Sequence, residues 1–126
     1  MSITQNSPFN LDSDARKFSF TIIFPVPLNI TIIPYMNTYY PFTLDSIIAK
    51  TASGSVNITV KKVHNSSTTI MEDADNIPLG TLKSTITPTS GNSLSVDDSL
   101  LVTFSNATNC TILHLQFNCT EDFKQT

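Results

Sequence analysis

The residues of this chain able to do chemistry are few: His64 and His114, Cys110 and Cys119, and the short acidic groups Asp12–Asp14 and Glu72–Asp73–Asp75. A hydrolytic serine needs a strained turn such as G-x-S-x-G to lift its hydroxyl clear, and the chain has no such turn. His64 follows VKKV at the end of a strand-like run, the place of an exposed loop histidine. His114 alternates with Leu113 and Leu115, so it faces solvent or a partner. A calcium loop sets oxygen ligands at alternating positions around a glycine. The run EDADN has oxygens but no glycine, and reads as a solvated loop.

The cysteines bracket CTILHLQFNC, which reads as one strand. Roughly nine steps at ~3.3 Å put them about 30 Å apart, and the odd separation sends them to opposite faces. A bridge needs Cα atoms within ~7 Å, so two reduced thiols are expected. With no further ligands nearby, they do not make a metal site. No catalytic residue, cofactor or metal is expected. The chain reads as a non-enzyme whose function lies in its surfaces.

Those surfaces must be carried by strands. KFSFTIIF puts Phe18, Phe20, Ile22 and Phe24 on one face with period two. Prolines 25, 27, 34 and 41 then punctuate a stretch in which NITII is the one possible strand, confined to a sheet edge. Further on, FTLDSIIAK places Phe42, Leu44 and Ile48 on one side, and SVNITVKKV places Val56, Ile58 and Val60 inward, the two runs joined by KTASGS. A short strand near STTIM, one in IPLGTLKSTIT, then LLVTFS and CTILHLQF complete the series. Short strands at this spacing with no helical period predict an all-β fold: an antiparallel β-sandwich of jelly-roll or Ig-like type, with two packed sheets. The expected core is Phe18, Phe20, Phe42, Leu44, Ile48, Val56, Ile58, Val60, Leu82, Val102, Phe104, Leu113, Leu115 and Phe117. Residues 1–40 form an expected N-terminal arm and edge segment, and residues 41–126 the sandwich.

Composition narrows the partners. Charged residues are 13% of the chain, with a formal net charge of −3. Seven Lys and Arg, two adjacent pairs and three single residues spread along the chain, do not form a phosphate-neutralising stripe, so no nucleic-acid partner is expected. No run approaches the ~18 apolar residues of a membrane helix, so no membrane partner is expected. The polar start MSITQNSPFNLDSDARK has no signal-peptide pattern, so folding in a cytoplasm is expected. Six N-x-S/T sequons, at Asn29, Asn57, Asn65, Asn106, Asn109 and Asn118, then reflect outward Asn and Thr on strands rather than glycosylation. Low charge and high β-branched content leave sheet edges best covered by a partner.

Three segments carry a resemblance: YPFTLDSIIAKTASGSVNITVKK, IPLGTLKSTIT, and GNSLSVDDSLLVTFSNAT followed by a closing apolar strand. Residues 41–119, which contain them, resemble a small β-sandwich module of tailed-bacteriophage virion proteins, of capsid-decoration or head and tail appendage type. HNSSTTIMEDADN departs from it, being longer and more acidic than a tight hairpin. The resemblance implies a structural virion protein, made in the host cytoplasm and resident in the virion, with no catalytic residues to carry across. It implies a capsid decoration (cement) protein: a homo-oligomer, expected as a trimer, bound to the major capsid protein or another virion lattice protein. Interface residues are expected in the apolar, proline-rich stretch: Phe24, Pro25, Val26, Pro27, Ile32, Ile33, Tyr35, Tyr39 and Tyr40. The alternative is a fibre appendage in which Tyr35, Tyr39 and Tyr40 form an aromatic platform for a glycan or receptor.

Overall fold

The computed structural model describes residues 16–25 and 31–122. Two strands dominate it. β3 (Phe42–His64) and β8 (Ser99–Glu121) are each 23 residues long and pair antiparallel from end to end. β1 (Lys17–Phe24) pairs with the C-terminal half of β8, and β2 (Thr31–Met36) with its N-terminal half. β4 (Ser67–Ile70), β5 (Ile77–Leu79), β6 (Ser84–Ile86) and β7 (Ser93–Leu94) all pair with β3. Every ladder is antiparallel, and the fold is all-β.

The expected two sheets are one continuous ladder folded over on itself. Phe20 lies opposite Phe117 and Tyr35 opposite Leu100, positions that a straight β8 would hold more than about 50 Å apart. Yet the Phe20 and Tyr35 rings stack with centroids 4.9 Å apart. Phe24 and Phe104 likewise meet edge to face at 5.1 Å. The β3–β8 ribbon therefore bends midway, and its two halves pack as the layers of a sandwich. Phe42, Phe104, Phe117, Leu44, Ile58, Leu100, Leu113 and Leu115 fill the space between them, each fully buried.

The bend lies at KTASGS, the segment that joins the two alternating runs. Instead of reversing the chain, these residues continue β3 through two register shifts, between Ser53 and Ser55 and between Ser55 and Asn57. Gly54 has φ +72°, and opposite it Asn106, Asn109 and Ile112 also take positive φ. Each irregularity adds or skips a residue and so flips which side chains point inward. The one between Leu44 and Ser46 explains why Ile47 is buried and Ile48 half-buried, where period two predicted Ile48 inside. On β8 the alternation breaks at Ile112, which takes a positive φ without a register shift, and Cys110 and Cys119 are both buried rather than on opposite faces. Leu82, expected in the core, is 82% exposed, because it sits between β5 and β6 rather than on a strand. Phe18 and Phe20 are half-buried at the margin of the core.

Both cysteines are free. Burial pushes the Cys110 thiol up, and burial together with the nearby Asp45 charge pushes Cys119 up to about 12. Burial also raises the Tyr35 phenol. All three groups hold their protons more tightly when folded. Their contribution to stability is therefore complete below the ordinary thiol value of 9.0 and is lost as pH rises toward 12. Denaturant melts are expected to show stability falling as pH rises from about 9 toward about 12. Native protein should react slowly with an aromatic disulfide reagent at about pH 8, and unfolded protein should release two thiols at once. Rapid labelling of the native chain would mean that Cys110 and Cys119 are not packed inside.

Residues 17–24 and 31–36 of the expected arm and edge segment are part of this sheet. Phe18, Phe20, Ile22, Phe24, Ile32 and Tyr35 pack against the core. Pro34 is accommodated as anticipated for an edge: β2 has β8 as its ladder partner, and its register shifts between Ile32 and Tyr35.

Candidate functional site

Three segments meet at one corner of the sandwich, and two buried side chains, Asn37 and Asp98, join them. Asn37 follows the end of β2 and is 1% exposed. Its Nδ2 donates to the carbonyls of Tyr40 (2.9 Å), Ser95 (3.0 Å) and Leu94 (3.4 Å), and its Oδ1 accepts from Tyr39 N–H (3.2 Å). Its main chain is paired too: Asn37 N–H donates to Asp98 O and Asp97 N–H to Asn37 O. Asp98 is the second buried anchor. Its Oδ2 accepts from Ser95 N–H at 2.8 Å, and its Oδ1 lies 2.5 Å from His64 Nδ1. The segment after β2, the turn before β8 and the end of β3 are thus fixed to one another.

The outside of this corner is apolar. Tyr39 is 74% exposed, Met36 59%, Tyr40 48% and Val96 40%. Ile33 is exposed on β2. A small cleft of about 180 Å³ opens between Phe18, Tyr35, Asn37, Tyr39, Tyr40 and Glu121. Its polar groups are largely committed: the Asn37 amide serves backbone, and Glu121 Oε1 lies 3.1 Å from Arg16 Nε. Large apolar side chains usually scatter singly on a soluble surface. Here Met36, Tyr39, Tyr40 and Val96 lie on or beside segments that Asn37 and Asp98 tie together.

The expected interface residues divide by direction. Ile33, Tyr39 and Tyr40 point out. Phe24, Ile32 and Tyr35 turn inward and belong to the core margin, Tyr35 packing on Phe20 and edge-on to Phe42 at 5.5 Å. Pro25 is exposed, and its carbonyl accepts from Ile112 N–H at 2.7 Å. Val26 and Pro27 lie outside the described residues. Met36 and Val96 complete the patch and carried no pattern of their own. Asn37 and Asp98 were legible only as turn-formers, in MNTYY between two prolines and in the acidic pair of SVDDS.

A second surface lies on the outer face of β1, β8 and β3. An open groove of about 500 Å³ is lined by Thr21, Ile48, Lys50, Lys83, Ile112 and His114, among others, with no carboxylate in its lining. His114 is cross-strand from Lys50. His64 is far from His114 in the fold and serves Asp98. The acidic loop does not converge on a point. Glu72 accepts from Ser90 Oγ, Asp73 from Thr89 Oγ1 and Asp75 from Thr59 Oγ1, each on a different neighbour. Among the described residues no three His, Cys, Asp or Glu side chains gather as metal ligands.

Fold and site define a class: an all-β sandwich-like protein whose distinctive features are exposed surfaces. No protein-family model matches the chain, and no curated protein matches it. Among solved structures it is similar to the cryo-EM structure of the giant freshwater prawn Macrobrachium rosenbergii extra small virus VLP. Identity is 12% and the TM-score 0.32, with 99% of this chain and 92% of that chain covered. Agreement at that TM-score carries no argument about either fold or function.

Proposed function

We propose that this chain is a non-enzymatic structural protein that acts by self-association on a larger lattice, as a capsid decoration protein of a tailed bacteriophage. The observation that carries the reading is the apolar corner of Met36, Tyr39, Tyr40 and Val96, held rigid by Asn37 and Asp98. Burying such a patch removes apolar surface from water at about 25 cal/mol per Å². Because the supporting loops are already fixed, association costs little ordering entropy. Exposed apolar side chains elsewhere, such as Ile23, Ile70 and Leu82, lie on separate elements, whereas those of the corner sit on segments that Asn37 and Asp98 tie together. Three copies meeting at this corner give a closed ring seated on the major capsid protein or another lattice protein.

Sedimentation of the purified chain tests the association. The native chain is expected as a trimer at micromolar concentration. Tyr39→Asp combined with Met36→Asp should give monomers with an unchanged far-ultraviolet spectrum and melting temperature. In purified particles the chain should be as abundant as the lattice subunit. The aromatic cleft favours a second reading, a fibre appendage that recognises a glycan through Tyr39 and Tyr40. A native chain that stays monomeric at high concentration, and occurs in a few sets per particle, would move the assignment there.

A further inference from the structure

An open sheet ends in strands with one row of unpaired N–H and C=O groups, and proteins guard such edges against unintended pairing. Most edges here are guarded. β2 carries Pro34 and a register shift, β5 carries Pro78 and is three residues long, and β4, β6 and β7 run four, three and two residues. β1 is the exception. It is eight residues long and pairs in unbroken register with β8, and among the described residues β8 is its one ladder partner. From Phe18 to Phe24 it has no charge, no proline and no glycine. Its outward side chains are Ser19, Thr21 and Ile23, the last 51% exposed.

We propose that the edge of β1 that has no ladder partner among the described residues is an assembly site that takes β1 of a second copy of this chain, antiparallel, across a two-fold axis. The occupant must bring its own unpaired row of similar length, uncharged and free of proline. Within this sequence β1 itself meets that description. Residues 1–15 contain Pro8, Asp12 and Asp14, and β2 contains Pro34. The register follows from the pleat. Opposed residues share a face, so the axis must pass through a residue and not between two. Centring on Thr21 sets Phe18 against the partner's Phe24, Phe20 against the partner's Ile22 and Ser19 against the partner's Ile23. It also leaves Arg16 outside the paired stretch, with Lys17 at its end. Centring on Phe20 would instead carry Lys17 in against the partner's Ile23. The two inner faces become one larger sheet, and aromatic and β-branched pairs across the seam add to the ladder.

The inference deepens the reading of the chain as a self-assembling surface protein and rests on it. An isologous edge contact closes after two copies. On a lattice it therefore links neighbouring trimers across two-fold positions, while the corner around Asn37 makes the three-fold contact.

Single-cysteine variants of the full chain test it, because Cys110 and Cys119 are buried. Residues facing each other across the axis have Cβ atoms ~5 Å apart, close enough for a disulfide to form with a small adjustment. Under mild oxidation Thr21→Cys is expected to run at twice the chain mass, forming roughly a hundredfold faster than Ser19→Cys, whose two copies lie far apart in this register. Ser19→Cys combined with Ile23→Cys should recover the fast cross-link. Thr21→Cys remaining at single-chain mass, or cross-linking no faster than Ser19→Cys, overturns the edge contact. If the Tyr39→Asp, Met36→Asp double variant still dissociates the native trimer in that case, the edge inference alone falls. If the native chain is monomeric throughout, the assembly reading falls with it.

Discussion

Gly54→Ala is expected to destabilise the protein strongly, while Gly80→Ala, in the same chain, should be close to neutral. Gly54 sits at the bend of the β3–β8 ribbon with φ +72°. A Cβ placed there would lie 2.2 Å from Asn109 O and 2.3 Å from Thr108 O. Those are backbone atoms in the facing strand and cannot rotate away. The neighbouring bonds hold them in place: Thr51 Oγ1 donates to Gly54 O, and Ser53 Oγ donates to Asn109 O at 3.2 Å. The left-handed backbone costs an L-residue about 1–2 kcal/mol, and a backbone clash in a packed bend adds at least as much again. A loss of about 3 kcal/mol or more is a large share of the 5–15 kcal/mol typical of a domain, and should lower the melting temperature by roughly ten degrees or more. At Gly80 an added Cβ meets nothing within 4 Å. Thermal melts of the two variants side by side decide it. Equal melting temperatures would mean that the ribbon does not fold over at Gly54.

That same bend marks where the sequence could and could not be read. Period-two alternation identified the strand content, and most of the predicted inward set, from Phe42 and Leu44 to Leu115 and Phe117, is buried. Alternation is a local signal and resets at each bulge without leaving a trace in composition. It therefore put Ile48 inside in place of Ile47 and separated Cys110 from Cys119. KTASGS has the composition of a turn, and Gly54 does take the positive φ of one. Whether such a segment reverses a chain or bends a ribbon depends on the strand opposite, where Asn106, Asn109 and Ile112 share the distortion. The candidate site was half legible for a related reason. Exposed tyrosines between two prolines announce themselves, as Tyr39 and Tyr40 did. The support beneath them comes from Ser95 and Asp98, far away in sequence, and only folding brings those to Asn37.

Asn37→Ala should cost about 2–4 kcal/mol and also weaken self-association, although the side chain is buried and can touch no partner. The amide makes four hydrogen bonds, three of them to main-chain carbonyls of Tyr40, Leu94 and Ser95. Alanine would leave those carbonyls and the Tyr39 N–H without this partner at a site where water has little access, and the penalty is their desolvation rather than the loss of the bonds alone. The loops would then pay that penalty or open to solvent. Opening releases Tyr39, Tyr40 and Val96 from a common surface, so the proposed trimer would have to reorder them on binding and would dissociate at higher concentration. Asn37→Asp separates electrostatics from packing. It keeps the shape but replaces two donors by a carboxylate facing carbonyl oxygens, so it should be worse than alanine near neutral pH. The folded state then disfavours ionisation and raises that carboxyl above its unfolded value. Stability from this source is intact below the unfolded carboxyl pKa and lost as pH rises through the folded one, so the variant should recover toward acid pH where the native chain does not. Tyr39→Ser supplies the contrast: association falls as in Asn37→Ala, but the melting temperature holds, because an exposed ring supports no loop. If Asn37→Ala melted like the native chain, or lost stability while forming trimers at unchanged concentration, the corner would not be the support on which assembly depends.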